Sequence, residues 1–351
     1  MAMLNPSRRS NGTLATRREQ LPWPKEKRFR ILTIDGGGIR GVLPASILAE
    51  FERRHCGDVS IGQHFDMIAG TSTGGIIALA LAAGLPASRV LDVYIEHGEK
   101  IFPSPRRLRR LRGALARVGS LCRYRYDRAP LERELRNVFG ERTLGEATRR
   151  VCVPSFDGYT EVNVFKTPHH PDFRMDWREQ LVTIALATSA APTFFSVYSN
   201  GNRRFADGGV WANNPIMIAL VDALTCYDVG RDQIDILSLG CGESEMVITE
   251  KQVRLGGLWH WKEIVSSAMH LASQNALGQA GLLVGRDRVV RLDAPVMANP
   301  IGLDDVVRAK SELPPIARSL VDIHEAVVAE RFLGTLATPY AAYHGPRESA
   351  A

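Results

Sequence analysis

One pattern, which occurs twice near the start of the chain, constrains the fold more than any other feature. In each copy a short apolar run stops at a glycine-rich turn, and a helix-forming segment follows. The first run is FRILTI at 29–34, ahead of DGGGIRG, and the second is FDMIA at 65–69, ahead of GTSTGG. Short apolar runs of this kind are typical of strands buried on both faces of a parallel sheet. With helices predicted at about 42–54 and 74–83, each unit predicts a strand followed by a crossover helix.

The rest of the chain continues this alternation, with further strands predicted at 151–154, 161–165, 234–239 and 288–292. The alternation predicts an α/β fold with a mostly parallel central sheet flanked by helices. A content of 45% hydrophobic and 23% charged residues excludes a disordered, collagen-like or coiled-coil chain. The 351 residues would suffice for about two domains of roughly 150 residues, but such folds often form one unit, so one elaborated domain is expected.

The sequence also carries signals about location and redox state. The longest nearly apolar stretch, at 76–85, is about half of the roughly 20 residues that cross a bilayer, so no transmembrane span is predicted. No apolar segment follows the arginine-rich start, which predicts a cytoplasmic protein with a disordered basic tail at 1–27. The cysteines are odd in number and scattered, so reduced thiols are expected rather than disulfides or a zinc site. They are Cys56, Cys122, Cys152, Cys226 and Cys241.

One segment, at about 102–128, breaks the alternation and carries nine arginines against the single acid Asp127. Leucines at helical spacing among them indicate a basic amphipathic helix inserted over the sheet edge. Three roles stay open for it: a solvated helix face, contact with anionic lipid headgroups, or binding of nucleotide phosphates with Tyr124 and Tyr126 stacked on the bases. DNA is not expected as a partner, because no recognised DNA-binding module accompanies the arginines.

The first glycine turn, at 35–41, satisfies the spacing GxGxxG with Gly36, Gly38 and Gly41. Between a strand and a helix, this spacing is the fingerprint of a dinucleotide site. The same geometry serves a developing oxyanion, because glycines let backbone N–H groups approach a ligand and the helix adds a positive dipole end. Asp35 weakens the dinucleotide interpretation, since its carboxylate would repel phosphate, but the turn alone does not choose.

The second glycine turn has the pattern GxSxG, formed by Gly70, Ser72 and Gly74. Glycines two residues to either side of a serine permit a sharp turn between strand and helix, which exposes the serine hydroxyl at the helix N-terminus. That position suits a nucleophile, because the helix end favours the negative charge that forms there. A phosphate loop or a simple turn remains the alternative.

A nucleophilic serine needs a base, and the histidines offer no clear one. The late histidines, which have no telling context, are His260, His270, His324 and His344. His169 and His170 lie between prolines in a loop that is predicted to be exposed. Asp207 is the better partner, because a short strand ends there in an Asp-Gly-Gly turn that leads into a helix. Asp-Gly-Gly alone is a common turn.

Taken together, three glycine turns resemble the patatin-like phospholipase family in order and spacing: DGGGIRG at 35–41, GTSTGG at 70–75 and DGG at 207–209. The segment ATSAAPTFF at 187–195 and the residues Asn213, Asn214 and Pro215 also resemble the family. The resemblance covers roughly 29–239. It implies a patatin-like three-layer sandwich at 28–240, with the arginine-rich insertion within it. A helical C-terminal region at 241–351 is expected to pack on the same domain.

The resemblance also implies a mechanism, that of a lipid acyl hydrolase with a Ser-Asp dyad and no metal or cofactor. Ser72 would be the nucleophile and Asp207 the base. Amides of the glycine turn would form the oxyanion hole, with an arginine nearby that supports either charge or turn geometry: Gly36, Gly37, Gly38 and Arg40. The remaining motif residues are Gly41, Gly70, Gly74, Gly208 and Gly209. The substrates implied are the carboxylic esters of membrane phospholipids.

The overall layout, with the segment GEKIFP at 98–103, is similar to a narrower group. These are phospholipase effectors of bacterial anti-phage defence that a cyclic dinucleotide such as 3',3'-cGAMP activates. The resemblance implies action at the inner face of the membrane, with homo-oligomer formation possible. The alternative of another class is a nucleotide-binding Rossmann-type oxidoreductase or sensor that uses the turn from Gly36 to Gly41. Four aromatic residues are candidates for an acyl pocket or for core contacts: Phe194, Phe195, Trp259 and Trp261.

Overall fold

The computed structural model describes residues 18–103, 124–158, 161–242, 264–297 and 299–347, and it omits the side chains of 264–268. Most of the arginine-rich segment and most of the predicted N-terminal tail therefore lie outside the described residues. The same is true of Cys122, His260, Trp259 and Trp261. The structure does not test the predictions made for them.

Eight strands form one sheet within the described residues. They are β1 Phe29–Ile34, β2 Met67–Gly70, β3 Arg150–Asp157, β4 Glu161–Lys166, β5 Tyr198–Asn200, β6 Arg203–Asp207, β7 Ile234–Leu239 and β8 Val289–Leu292. Their order is β5-β6-β3-β2-β1-β7-β8, and β4 pairs with β3 off this path. Pairing is parallel between β1 and β2, β2 and β3, β1 and β7, and β7 and β8. It is antiparallel where β3 meets β4 and β6, and where β5 meets β6. The prediction of a mostly parallel sheet is confirmed.

Helices cover both faces of this sheet. They are α1 Val42–His55, α2 Thr73–Ala82, α3 Ala87–Ile101, α4 Ala129–Phe139, α5 Leu181–Thr188, α6 Gly209–Ala212, α7 Ile216–Cys226, α8 Ile264–Val284 and α9 Val306–Val328. Leu32 and Ile34 of β1 face a core shared with α1, α2, α5 and α9. Phe29 and Ile31 face a second core, shared with α7 and α8. Alternate residues of one strand thus enter opposite cores, which is the three-layer arrangement predicted.

The end of the predicted N-terminal tail packs against the domain. Trp23 is buried, with its ring centroid 4.7 Å from that of Phe29 and 5.6 Å from that of Tyr227. The N–H of Leu21 donates to the carbonyl of Cys226 at 2.8 Å. The prediction of a disordered tail through residue 27 is therefore wrong for residues 18–27. Burial of the apolar ring of Trp23 stabilises the packing of this segment against the domain.

The C-terminal part of the chain continues the same structure rather than forming a separate unit. β8 extends the sheet in parallel register with β7, with Leu239 opposite Leu292. The buried face of α9, which includes Leu313 and Val321, packs into the core that α1 lines. The strand predicted at 288–292 is therefore present, at Val289–Leu292, within this mainly helical region. Within the described ranges, none of the helices combines the length and apolar content that crossing a membrane requires.

Candidate active site

Ser72 lies in the sharp turn between β2 and α2, with φ of 55° and ψ of −119°. A positive φ is strained for a residue with a side chain, and such strain is typical of functional turns. The flanking glycines explain how the chain makes the turn. A Cβ at Gly70 would collide with the carbonyl of Gly74, and a Cβ at Gly74 would collide with the carbonyl of Ile34. The GxSxG pattern thus forms the nucleophile-elbow geometry.

The hydroxyl of Ser72 meets the carboxylate of Asp207 directly. Ser72 Oγ donates to Asp207 Oδ2 at 2.6 Å. The other carboxylate oxygen accepts the N–H of Gly209 at 2.7 Å. Burial raises the pKa of Asp207 from 3.8 to about 6, although the hydrogen bonds from Ser72 and Gly209 oppose the shift. A carboxylate with this pKa can accept a proton near neutral pH more readily than an ordinary aspartate.

The path of β3 through the sheet explains why these residues meet. Its first half pairs with β2, so that Cys152 lies opposite Ala69 just before the Ser72 turn. Its second half pairs with β6 in antiparallel register, so that Ser155 lies opposite Asp207. The end of β2 and the end of β6 therefore meet at one edge of the sheet, although 135 residues separate Ser72 from Asp207.

Thr188, at the end of α5, joins the two turns. Its Oγ1 accepts the N–H of Ser72 at 3.0 Å and donates to the carbonyl of Pro154 at 2.6 Å. Its own carbonyl accepts the N–H of Gly208 at 3.3 Å. Thr188 belongs to the segment ATSAAPTFF that the sequence singled out, but nothing in that pattern indicated these hydrogen bonds.

The first glycine turn lies against Ser72. A Cβ placed on Gly36 would be 3.3 Å from the Cβ of Ser72. The N–H of Gly36 already donates to the carbonyl of Asn213 at 3.1 Å. Within the described residues no acceptor takes the N–H of Gly37 or Gly38. Of the three glycine amides at 36–38, those of Gly37 and Gly38 are thus the donors that remain available.

The guanidinium of Arg40 binds the backbone. Its Nη1 donates to the carbonyl of Gly242 at 2.6 Å, and its Nε donates to the carbonyl of Gly37 at 3.4 Å. Of the two functions open for Arg40, these contacts favour support of the turn geometry.

The remaining motif glycines lie where the backbone is crowded. A Cβ at Gly41 would collide with the hydroxyl of Thr73, and one at Gly208 would collide with the carbonyl of Pro154. Gly209 begins the short helix α6, and its N–H orients Asp207. The motif therefore keeps three backbone segments close together around Ser72.

The predicted exposure of the loop histidines is wrong. His169 and His170 are 0% and 2% exposed. His169 Nε2 hydrogen-bonds to Asp222 Oδ2 at 2.7 Å, and His170 Nε2 bonds to the carbonyl of Glu19. The prolines that suggested a surface loop do not prevent burial when the polar ring atoms find partners.

Of the late histidines, His260 lies outside the described residues, and none of the other three hydrogen-bonds to Ser72 or Asp207. His270 lies on α8, His324 lies on α9, and His344 Nε2 bonds to the carbonyl of Pro171. In the part of the chain that the structure describes, Ser72 Oγ has a carboxylate partner and no histidine partner.

In the described ranges, one group of side chains could offer ligands to a metal ion. Donor atoms of His169, Asp222 and Cys226 lie within 4.8 Å of one another. The ammonium of Lys166 already contacts Asp222. Burial raises the pKa of Cys226 to about 12, so its thiol is protonated and a poor ligand. We therefore interpret this cluster as an ion-paired network. The described cysteines are free thiols, namely Cys56, Cys152, Cys226 and Cys241.

Phe194 and Phe195 pack with Tyr126. The ring centroids lie 6.3 Å and 6.2 Å from that of Tyr126. The Tyr126 ring is buried, and its hydroxyl donates to Asp304 Oδ2 at 2.6 Å. Of the two tyrosines predicted to stack on nucleotide bases, Tyr126 is therefore engaged in the core, whereas Tyr124 is 52% exposed.

With this geometry established, comparison with known proteins decides the family. The family model for patatin-like phospholipase matches residues 32–220, which is more than half of the chain. The chain belongs to the patatin-like phospholipase family. The fold class and the family predicted from the sequence are confirmed, and the protein is by class a lipid acyl hydrolase.

Two bacterial relatives are each named cGAMP-activated phospholipase. The one from Escherichia coli is 38% identical over 79% of this chain and 84% of its own length. The one from Vibrio cholerae is 37% identical over 74% of this chain and 78% of its own length. Among solved structures, VipD from Legionella pneumophila is 12% identical with a TM-score of 0.40, over 86% of this chain and 67% of that one.

Proposed function

We propose that this protein cleaves the carboxylic esters of membrane phospholipids through Ser72 and Asp207, and that it releases fatty acid and lysophospholipid. The observation that carries the proposal is the 2.6 Å hydrogen bond from Ser72 Oγ to Asp207 Oδ2. It joins a hydroxyl on a strained turn to a buried carboxylate of raised pKa. A nucleophile paired with a base of this kind is the arrangement that acyl transfer requires.

The reaction has two halves. In the first, Ser72 Oγ attacks the ester carbonyl carbon while its proton passes to Asp207. The resulting oxyanion accepts hydrogen bonds from the amides of Gly37 and Gly38, and Gly36 and Arg40 support the turn. As the intermediate collapses, Asp207 returns the proton to the departing lysophospholipid alcohol.

In the second half, water gives a proton to Asp207 and attacks the acyl carbon. The oxyanion that forms uses the same two amides. Collapse of this intermediate releases the fatty acid, and the proton returns to Ser72 Oγ. The cycle needs no metal and no organic cofactor, since the side chains of Ser72 and Asp207 carry every proton transfer.

The names of the relatives support a switch on this activity. We extend the proposal to activation by a cyclic dinucleotide such as 3',3'-cGAMP. The support is that two proteins similar over 79% and 74% of this chain are named cGAMP-activated phospholipase. The activated enzyme would degrade the membrane from its cytoplasmic face in antiviral defence. Nucleotide binding or assembly into a homo-oligomer would shift the population from a closed to an open site.

The Rossmann-type alternative is not favoured. Asp35 does not decide the matter, because its buried carboxylate is paired with Arg291 at 2.7 Å and is not an uncompensated charge. Ser72 lies against Gly36, where the backbone of a dinucleotide site approaches its ligand. An oxidoreductase would also leave the pairing of Ser72 with Asp207 without a function.

The test is fatty-acid release from vesicles of phosphatidylethanolamine and phosphatidylglycerol, with and without each of a panel of cyclic dinucleotides. The proteins compared are wild type, Ser72→Ala and Asp207→Asn. Matched controls are Ser199→Ala and Asp228→Asn, whose side chains are exposed and away from the turn. A fluorophosphonate probe reports in parallel whether Ser72 is reactive.

The expected result is release by wild type and both controls, with loss in Ser72→Ala and Asp207→Asn. Release that depends on one nucleotide supports the switch, whereas release without any nucleotide keeps the hydrolase and removes the switch. Hydrolysis that survives Ser72→Ala would overturn the mechanism.

A further inference from the structure

A largely buried arginine beyond the matched family segment contacts the first glycine turn, at 35–41, which lies beside Ser72. Arg291 lies on β8, and its side chain is 18% exposed. Its Nη2 donates to Asp35 Oδ2 at 2.7 Å and to Asp293 Oδ2 at 2.6 Å. Its Nη1 donates to Ser238 Oγ at 2.9 Å. Asp35 is the first residue of the turn, so the strand added after residue 220 holds the point where the turn begins.

A series of hydrogen bonds connects the same guanidinium to the other end of the turn. Asp293 Oδ1 accepts the N–H of Gly242 at 2.7 Å. The carbonyl of Gly242 accepts from Arg40 Nη1 at 2.6 Å. Arg291 is thus connected directly to Asp35 and, through Asp293 and Gly242, to Arg40. Gly37 and Gly38 lie between these two attachment points.

The charge of Arg291 also matters to an anion at this turn. Asp35 is 0% exposed. In the sequence, only Gly36 lies between Asp35 and Gly37. An uncompensated buried carboxylate there would disfavour the negative charge that develops on the substrate oxygen. The guanidinium neutralises Asp35 by direct contact, and removal of one partner of such a buried pair is costly.

We propose that Arg291 is a positioning residue for the oxyanion-binding turn, because it holds both ends of the turn and neutralises Asp35. The proposal rests on the proposed function, since it concerns the turn that would bind the oxyanion formed by Ser72. The glycine backbone has little stiffness of its own. Displacement of a donor by about 1 Å can cost roughly 100-fold in rate.

The experiment measures hydrolysis of the soluble ester 4-nitrophenyl butyrate under the conditions that give wild type its highest rate. The variants are Arg291→Met and Arg291→Lys. Arg288→Met is the matched control, because Arg288 precedes the same strand and pairs with Asp235, which keeps Arg28 as a partner. Thermal unfolding is recorded for every protein.

A second readout separates positioning from general destabilisation. An alkyl trifluoromethyl ketone is titrated as an inhibitor. Ser72 Oγ bonds to its carbonyl carbon, the carbonyl electron pair moves to oxygen, and the serine proton passes to Asp207. The adduct carries the same oxyanion as the transition state, so its affinity reports on the turn directly.

For Arg291→Met we expect kcat to fall roughly 100-fold with KM within about threefold of wild type, and inhibitor affinity to fall by a similar factor. Arg291→Lys should be intermediate, since an ammonium keeps the charge but cannot span both carboxylates. Arg288→Met should match wild type. If Arg291→Met does not fold, Arg291→Met with Asp35→Asn also removes the charge that Arg291 no longer neutralises, and kcat should still fall at least tenfold.

A kcat of Arg291→Met, or of the double variant, within about threefold of wild type overturns the inference alone. A fall in kcat with unchanged inhibitor affinity also overturns it. Hydrolysis by Ser72→Ala at the wild-type rate overturns the proposed function, and this inference with it.

Discussion

The pKa values of two buried carboxylates of this protein, Asp207 and Asp222, are shifted in opposite directions. The two residues are 5% and 1% exposed. Within the described residues Asp207 is hydrogen-bonded by a hydroxyl and an amide, and burial raises its pKa to about 6. Burial would also raise the pKa of Asp222, but the charge of Lys166 and the hydrogen bonds from Lys166 and His169 outweigh it and hold that pKa well below 3.8.

The comparison shows that burial alone does not make a carboxylate a base. Desolvation disfavours the charged form at both positions, and the nearby cation decides the outcome. Asp222 of α7 pairs with Lys166 of β4, so its charge holds the sheet to the helix layer. Asp207 has neutral partners, so it keeps an affinity for protons that proton transfer can use. One carboxylate stabilises the fold, and the other is available for chemistry.

The largest expected difference between the two carboxylates is in catalysis. Asp207→Asn should lower hydrolysis of 4-nitrophenyl butyrate by roughly 10⁴-fold, because the amide cannot accept the proton of Ser72. Asp222→Asn should keep the rate per folded molecule within about threefold of wild type. The measurement is kcat/KM normalised to the folded fraction. A comparable loss in Asp222→Asn would break the distinction.

The next effect concerns stability. Lys166→Met should lower the free energy of unfolding by about 3 kcal/mol or more, because it removes a cation from the buried carboxylate of Asp222. Urea unfolding at pH 7 measures the change. Arg53→Met, which breaks an exposed pair with Glu50, should lower the free energy of unfolding much less, because water screens exposed ion pairs. Equal losses in the two variants would contradict the prediction.

The third expected effect is a gain in stability, in contrast to the loss expected for Lys166→Met. The pKa of Asp207 is about 6 in the folded state against 3.8 ordinarily. The folded protein therefore binds more protons than the unfolded chain between these values, and this group's contribution to stability falls as pH rises from about 4 to 6. At pH 8 the ionised carboxylate costs about 3 kcal/mol. Asp207→Asn should therefore be more stable than wild type at pH 8, by up to that amount.

The control for this effect is pH itself. At pH 4 Asp207 is protonated in the folded state, so the difference between Asp207→Asn and wild type should nearly vanish in urea unfolding. Asp222 has a lowered pKa, so its contribution is present above about pH 4 and is lost as the pH falls further. A stability difference for Asp207→Asn that does not change between pH 4 and 8 would argue against a raised pKa.

The smallest expected effect is the pH dependence of the wild-type rate. If Asp207 is the base, kcat/KM for 4-nitrophenyl butyrate should rise with pH and level off above about 6. Below that value it should fall about tenfold for each pH unit, since only the ionised form accepts the proton of Ser72. Asp222→Asn should show the same profile. A midpoint near 4 would indicate that burial of Asp207 does not set its proton affinity.

Much of the fold was predictable because its signals are local. The structure places β7 at Ile234–Leu239, as predicted, and α1 ends one residue beyond the predicted end. The glycine turns also identified Ser72 and Asp207 as candidates before any contact between them was known. The strand β5, Tyr198–Asn200, was not predicted, because three residues are too few to show a periodicity.

Other features could not be predicted, because they depend on partners that are distant in the chain. The burial of His169 follows from its contact with Asp222, 53 residues away. Arg291 contacts Asp35 across 256 residues, and no pattern around either residue indicates the pair. Trp23 was predicted to belong to a tail, and only the structure shows its ring packed against those of Phe29 and Tyr227.

The sequence by itself determined the strand-turn-helix units, the class of sheet and the glycine turns that present Ser72 and Asp207. These depend on side-chain periodicity and backbone sterics over a few residues. Only the tertiary structure decided which buried carboxylate has a cation beside it and which amides of the glycine turn remain available. It also placed Arg291 of β8 in contact with Asp35 at the start of this turn. The physical reason is that desolvation and ion pairing act through distances in space, which the spacing of residues along the chain does not specify.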